Sequence, residues 1–232
     1  ILCRANARKP SGEKEEPVKN PFTIKLQASV LLAGQIILLL TSALWDDLNP
    51  EVRWPAWIYI ILFSAGGYAL AGSRRWLVTY ILVSMCALLL AGRQESPLAV
   101  SISTLCFAIA YSMLFYVLLS HCFFRHKIAA ADRIVGGIAG YILLGFLWNS
   151  QAQWARLLNE DAFFNVNRDA PTSDSEQLYY SFVTLTGLGY GDVVPTTSVA
   201  HLIAMLNVLS GVLYLAIFIS ALMGGLVEKK KK

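Results

Sequence analysis

A chain of 232 residues that is 56% hydrophobic and only 15% charged is far more apolar than a soluble domain, where the shares run at roughly 45–50% and 25%; it belongs in a bilayer. The formal charge of +4 is too small to make a nucleic-acid-binding face. The four cysteines, Cys3, Cys86, Cys106 and Cys122, lack the spacing of a disulfide framework or a metal site, and three of them lie inside apolar runs where a thiol acts as a small hydrophobe.

Residues 1–22 interleave Lys, Arg, Glu, Pro and Ser with no apolar core, which is neither a signal peptide nor a foldable segment, and they read as a polar tail. The first apolar run, 24–45, carries one charge, Lys25, and is long enough for about 30 Å of hydrocarbon, which takes about 20 helical residues. Asp46-Asp47-Leu48-Asn49-Pro50 ends it. The second run, 55–71, is short and opens beside Trp54 and Trp57, residues suited to the headgroup boundary. A charged turn with Arg74 and Arg75 leads into a third run, 76–91, and a longer fourth, 98–124, stops at Arg125-His126-Lys127. A fifth run from 134 to about 147 continues amphipathically toward Leu158 and holds Gly136 and Gly140, a small-xxx-small pair that lets another helix approach closely.

Residues 159–175 are polar and acidic. The helix expected after them, about 176–186, has Ser173 and Glu176 spaced for a capping box, with Asp174 or Ser175 as alternative caps. At about 11 residues it is too short to span. It is therefore re-entrant, which a membrane protein tolerates only where irregular backbone is buried in protein or lines a water-filled cavity. Next come Thr184-Leu185-Thr186-Gly187-Leu188-Gly189-Tyr190-Gly191-Asp192, with Pro195 just beyond, and a last run at 199–227 before Glu228 and Lys229 to Lys232. The lysines suit anionic headgroups. Glycines at every second position of the strip permit positive φ without a Cβ clash, so that consecutive carbonyls can face one axis. Such carbonyls can replace the hydration shell of an ion.

Six spans and a re-entrant loop put both termini on one side, together with every Lys and Arg except Arg53, Arg93, Arg156 and Arg168 of the 19. Of the 15 acids, that side keeps Glu13, Glu15, Glu16, Asp132 and Glu228. The positive-inside tendency makes that side cytoplasmic. Asp192 then stands at the outer mouth, where acidic charge concentrates cations.

The strip resembles the potassium-channel signature Thr-Val-Gly-Tyr-Gly-Asp, and residues 134–227 are similar to the outer helix, pore helix, filter and inner helix of the potassium-channel superfamily. The six-span layout resembles small bacterial channels. The resemblance implies an all-α membrane protein with six transmembrane helices and a tetrameric pore. Its parts would be a cytoplasmic tail (1–22), a four-helix voltage-sensor-like domain (23–127) and a pore domain (128–232). It implies a filter of Gly187, Leu188, Gly189, Tyr190 and Gly191, with K⁺ held by the carbonyls of Gly187, Leu188, Gly189 and Tyr190. Thr184 and Thr186 would end the pore helix. Tyr179 and Tyr180 would brace the filter, Tyr180 bonding Tyr190 and Tyr179 reaching Asp192. Gly211, twenty residues after Gly191, would be a gating hinge. Two features depart from the pattern. Gly187 stands where a threonine is usual, which predicts a weaker innermost ion site. The fourth run has no Arg or Lys, the charges a voltage sensor needs.

The functional expectation is a homotetrameric, K⁺-selective channel in a cell (inner) membrane, voltage-independent, with both termini cytoplasmic. Its partners are K⁺ and lipid; no nucleic acid and no cofactor beyond the permeant ion enter. A weakly selective cation channel, and a non-conducting scaffold or sensor subunit that keeps the pore fold, are the competing readings. An enzyme is not expected, because the spans lack a His, Asp, Glu or Lys cluster that could do acid–base work.

Overall fold

The computed structural model describes residues 29–40, 74–91, 96–124 and 130–230. Six α-helices carry these segments: α1 (Ser29–Leu40), α2 (Arg74–Ala91), α3 (Pro97–Phe124), α4 (Ala130–Leu158), α5 (Asp174–Thr186) and α6 (Ser198–Lys230). Three short strands, β1 (Phe163–Asn165), β2 (Ala170–Pro171) and β3 (Val193–Pro195), follow α4 and α5. Among the described residues three helical stretches are long and apolar enough to cross a membrane: Leu98–Ser120, Ala131–Leu158 and Ser198–Met223. The expected first and third spans are represented by shorter apolar helices, Ser29–Leu40 and Leu77–Ala87, and the expected span at 55–71 lies outside the described residues.

α4 and α6 form because lipid offers the backbone no other partner, so each apolar run closes its hydrogen bonds on itself. The ends of α4 carry suitable charge: Asp132 occupies its first turn and Arg156 its last, each at the pole of the helix dipole that favours it. One core gathers Leu31 and Leu38 of α1, Tyr80 of α2, Tyr111, Leu114 and Leu118 of α3, and Leu143 and Phe146 of α4. Phe182 of α5 packs against this core, its ring edge-on to Phe146 at 5.7 Å. The first helices therefore bear on α5 through α4.

Close packing of α4 on α6 uses Gly137 and Gly140. A Cβ on Gly137 would sit 1.9 Å from the Phe218 ring, and one on Gly140 would sit 2.5 Å from the Tyr214 hydroxyl. The small residues that matter are thus one position off the expected Gly136 and Gly140 pair on one side, and what enters is an aromatic side chain. Tyr214 goes on to donate from its hydroxyl to the Gly137 carbonyl at 2.7 Å.

The strands correct the all-α expectation. They make an antiparallel sheet of order β2-β1-β3, with Phe164 opposite Pro171 and Phe163, Phe164 and Asn165 opposite Pro195, Val194 and Val193. Phe and Val suit a pleated, half-buried surface, and Phe163 and Val193 are buried. The segment expected to be a polar loop is in this way tied to the stretch just after the glycine strip.

Candidate functional site: a glycine-lined strip at the end of a re-entrant helix

The short helix α5 is held at both ends. At its start Ser173 accepts from the Glu176 N–H at 3.3 Å while Glu176 accepts from the Ser173 N–H at 2.8 Å, the reciprocal capping box. Glu176 also takes the Asn165 amide at 2.6 Å and the Arg168 guanidinium. Burial opposes its charge, but the Ser173 N–H, the Asn165 amide and Arg168 together outweigh burial and hold its carboxyl below the usual carboxylate range. Arg156 at the end of α4 bonds Asp174 at 3.0 Å and the fully buried Gln177 at 2.9 Å, fastening the outer helix to the first turn of α5. From α6, the Asn207 amide donates to the Ser181 carbonyl at 3.0 Å in a buried contact.

α5 ends at Thr186, and Gly187 takes a left-handed φ of 75°. The Gly187 N–H bonds the Thr184 carbonyl and the Leu188 N–H bonds the Val183 carbonyl, both at 3.0 Å. This pairing is a Schellman cap, whose αL position favours glycine. Thr186 turns its hydroxyl back to the Phe182 and Val183 carbonyls. Gly187, which stands where the channel pattern has threonine, therefore has a local structural cause.

Beyond the cap, Gly189 (φ 57°) and Gly191 (φ 78°) repeat the left-handed conformation, and Leu188 and Tyr190 lie between them. A Cβ on any of the three glycines would meet nothing within 4 Å. Leu188 and Tyr190 are 61% and 67% exposed. An open, apolar-flanked strip of backbone in which every second residue is left-handed is suited to coordinate a cation with carbonyls.

The two neighbouring tyrosines of α5 have different surroundings. The Tyr179 hydroxyl donates to Asp192 Oδ2 at 2.7 Å, and that bond to a carboxylate pushes the phenol up to about 12. Asp192 Oδ1 accepts from the Val193 N–H at 3.0 Å, and the Asp192 carbonyl from the Val166 N–H at 2.9 Å. Tyr180, by contrast, faces the sheet. It is buried beside Phe163 with ring centroids 5.0 Å apart. The aromatic pair thus serves two ends, Tyr179 the strip and Tyr180 the sheet.

Gly211 lies inside an uninterrupted α6. The space its missing Cβ leaves is filled by the Leu185 carbonyl oxygen, 2.1 Å from where that atom would stand. Sequence reading singles out Gly211 but not its neighbour, because an offset along the chain carries no information on what packs there. The sheet and Tyr141, whose hydroxyl donates to the Leu185 carbonyl at 3.2 Å, were likewise missed. The only signals were the Phe163-Phe164 and Val193-Val194 pairs.

A re-entrant helix that ends in an open carbonyl strip between two spanning helices defines a pore loop of an integral membrane protein. Residues 157–228 match the ion channel family Ion_trans_2. The chain is 31% identical over 96 residues to "Two pore potassium channel b" of Oryza sativa subsp. japonica, covering 41% of this chain and 28% of that protein. It is 39% identical over 56 residues to "Two pore potassium channel a" of the same plant, covering 24% and 16%. The chain thus spans less than a third of either relative, and no solved structure matches it. The segment around the strip is thus similar to an ion channel family and to two proteins named potassium channels.

Proposed function

We propose that this chain is the pore-forming subunit of a homotetrameric channel that conducts K⁺ passively and opens almost independently of voltage. The observation that carries the reading is the strip itself. Gly187, Gly189 and Gly191 alternate in left-handed geometry on an exposed edge, behind a helix pinned at both ends. The sequence carries one such strip, and a ring of carbonyls around an ion needs four. The relatives that match the segment are named potassium channels. Ions move down their gradient through such a ring without catalysis. Voltage independence follows from α3, which contains no Arg or Lys. Moving a charge through the field supplies only about 2.3 kcal/mol per 100 mV, so a sensor without charges has no work to draw on. We place both termini on the cytoplasmic side of a cell (inner) membrane, residues 23–127 as a sensor-like domain without sensing charges, and residues 128–232 as the pore domain.

Planar-bilayer recording of the purified protein under opposed K⁺ and Na⁺ gradients tests this. The expected result is a reversal potential that follows the K⁺ gradient and an open probability that changes little with voltage. A reversal potential near zero under those gradients favours the weakly selective cation channel, for which Gly187 in place of threonine is the specific observation. Purified tetramer without ion flux favours a scaffold. A steep conductance–voltage curve defeats the voltage-independence half alone.

A further inference from the structure

The last turn of a helix leaves carbonyls without intrahelical partners. At the end of α5 the Schellman cap satisfies Val183 and Thr184. The Leu185 carbonyl, on a residue only 1% exposed, is met from two other helices instead. Tyr141 of α4 donates its hydroxyl at 3.2 Å, and α6 comes so close that only a glycine fits at position 211. Around this point Tyr141 and Tyr214 pack ring on ring at 5.7 Å, Leu185, Leu144 and Tyr214 share one core, and Trp148 donates to Ser210 Oγ at 2.7 Å, next to Gly211. Outer, pore and inner helices thus meet at one backbone oxygen two residues before the strip.

We propose that Tyr141 and Gly211 are positioning residues for ion selection: they hold the Leu185 carbonyl and so set the height and angle at which the pore helix delivers the chain to Gly187. This rests on the K⁺ channel reading and goes beyond it, because it gives Gly211 a role in selectivity. A hinge role would be confined to opening. A methyl group at 211 cannot share space with a backbone oxygen 2.1 Å away. Either α6 moves outward or the end of α5 moves toward the strip. Both displace the first ring of carbonyls, and selectivity depends on the size and dipole field of those rings. Removing the Tyr141 hydroxyl leaves the carbonyl buried and unpaired, a costly state that it escapes by turning toward another donor.

The test is the K⁺/Na⁺ permeability ratio from reversal potentials of the full chain, wild type beside Gly211→Ala and Tyr141→Phe. We expect the ratio to fall by about tenfold in Gly211→Ala, equivalent to ~1.4 kcal/mol, and by a few-fold in Tyr141→Phe. Tyr141→Phe keeps the ring and its packing, so it decides the matter if Gly211→Ala does not assemble. An unchanged ratio in Tyr141→Phe, with either a changed open probability or merely fewer channels in Gly211→Ala, overturns the inference in favour of a hinge or of plain packing. A wild-type current that ignores the K⁺ gradient sinks the channel reading and this inference together, whereas a selective wild type with unaltered variants sinks the inference alone.

Discussion

At the scale of single residues, Gly187 turns from an omission into a requirement. Set against the channel signature it is a missing threonine, and the expected consequence is a weaker inner ion site. In the structure it is the left-handed glycine of a Schellman cap at φ 75°, with the strip starting from it. A side chain at this φ costs roughly 1–3 kcal/mol, and a β-branched one lies at the upper end. Gly187→Thr is therefore expected to destabilise the protein more than Gly187→Ala, both variants melting below wild type. Thermal melting of the detergent-solubilised protein in K⁺ checks this. A threonine variant that melts with the wild type would mean that the cap rearranges readily and would return the residue to its role as a lost ligand. Such causes were partly legible. The glycine alternation was readable because no other residue takes positive φ so cheaply, and the Tyr179 to Asp192 bond followed from a phenol needing a partner. The place of Tyr180 was not legible, since the ring it packs on, Phe163, lies in a strand too short to show a period.

At the scale of elements, α5 shows why spans were easier to read than the outer mouth. Spans announce themselves by length and apolarity: α3 and α6 lie within a few residues of the expected 98–124 and 199–227, while α4 runs on to Leu158 past the apolar run expected to end at about 147. Strands of two or three residues have no period to detect, so β1, β2 and β3 stayed hidden although they tie the strip's exit to the segment after α4. Glu176 joins these pieces, holding Ser173, Asn165 and Arg168 at once. Its carboxyl is held below its ordinary range, so the folded state binds this proton less readily than the unfolded chain does. The stabilisation is complete above the unfolded value of about 4.3 and is lost as pH falls through the lower folded value. Glu176→Gln is therefore expected to melt below wild type at neutral pH, with the gap closing as the solution is brought below about pH 4. Melting curves of both proteins between neutral and acid pH measure it. A gap of constant size would mean that the carboxylate charge contributes nothing beyond what the amide supplies.

At the scale of the whole molecule, the chain leaves apolar surface uncovered along the strip and along α6. Leu188 and Tyr190 on the strip are open, and so are Leu202, Met205, Leu209, Val212, Leu213 and Ile217 along α6. Apolar side chains on a spanning helix are satisfied by lipid or by neighbouring subunits, and lipid supplies no hydrophobic drive to choose between them. The strip breaks the tie. In the proposed tetramer, carbonyls aimed at a common axis would repel one another without a cation between them, so an ion bound there would be a ligand of the assembled state alone. A ligand that binds only the assembled state stabilises it by mass action, by about 2.7 kcal/mol when present at a hundred times its dissociation constant. The proposed tetramer is therefore expected to dissociate at a higher temperature in K⁺ than in Na⁺ at equal ionic strength, and the difference is expected to grow with K⁺ concentration. Heating the cross-linkable complex in each salt and following its tetramer and monomer bands measures this without any recording of current. Equal dissociation temperatures in the two salts would separate assembly from ion binding and would count against a strip that prefers K⁺.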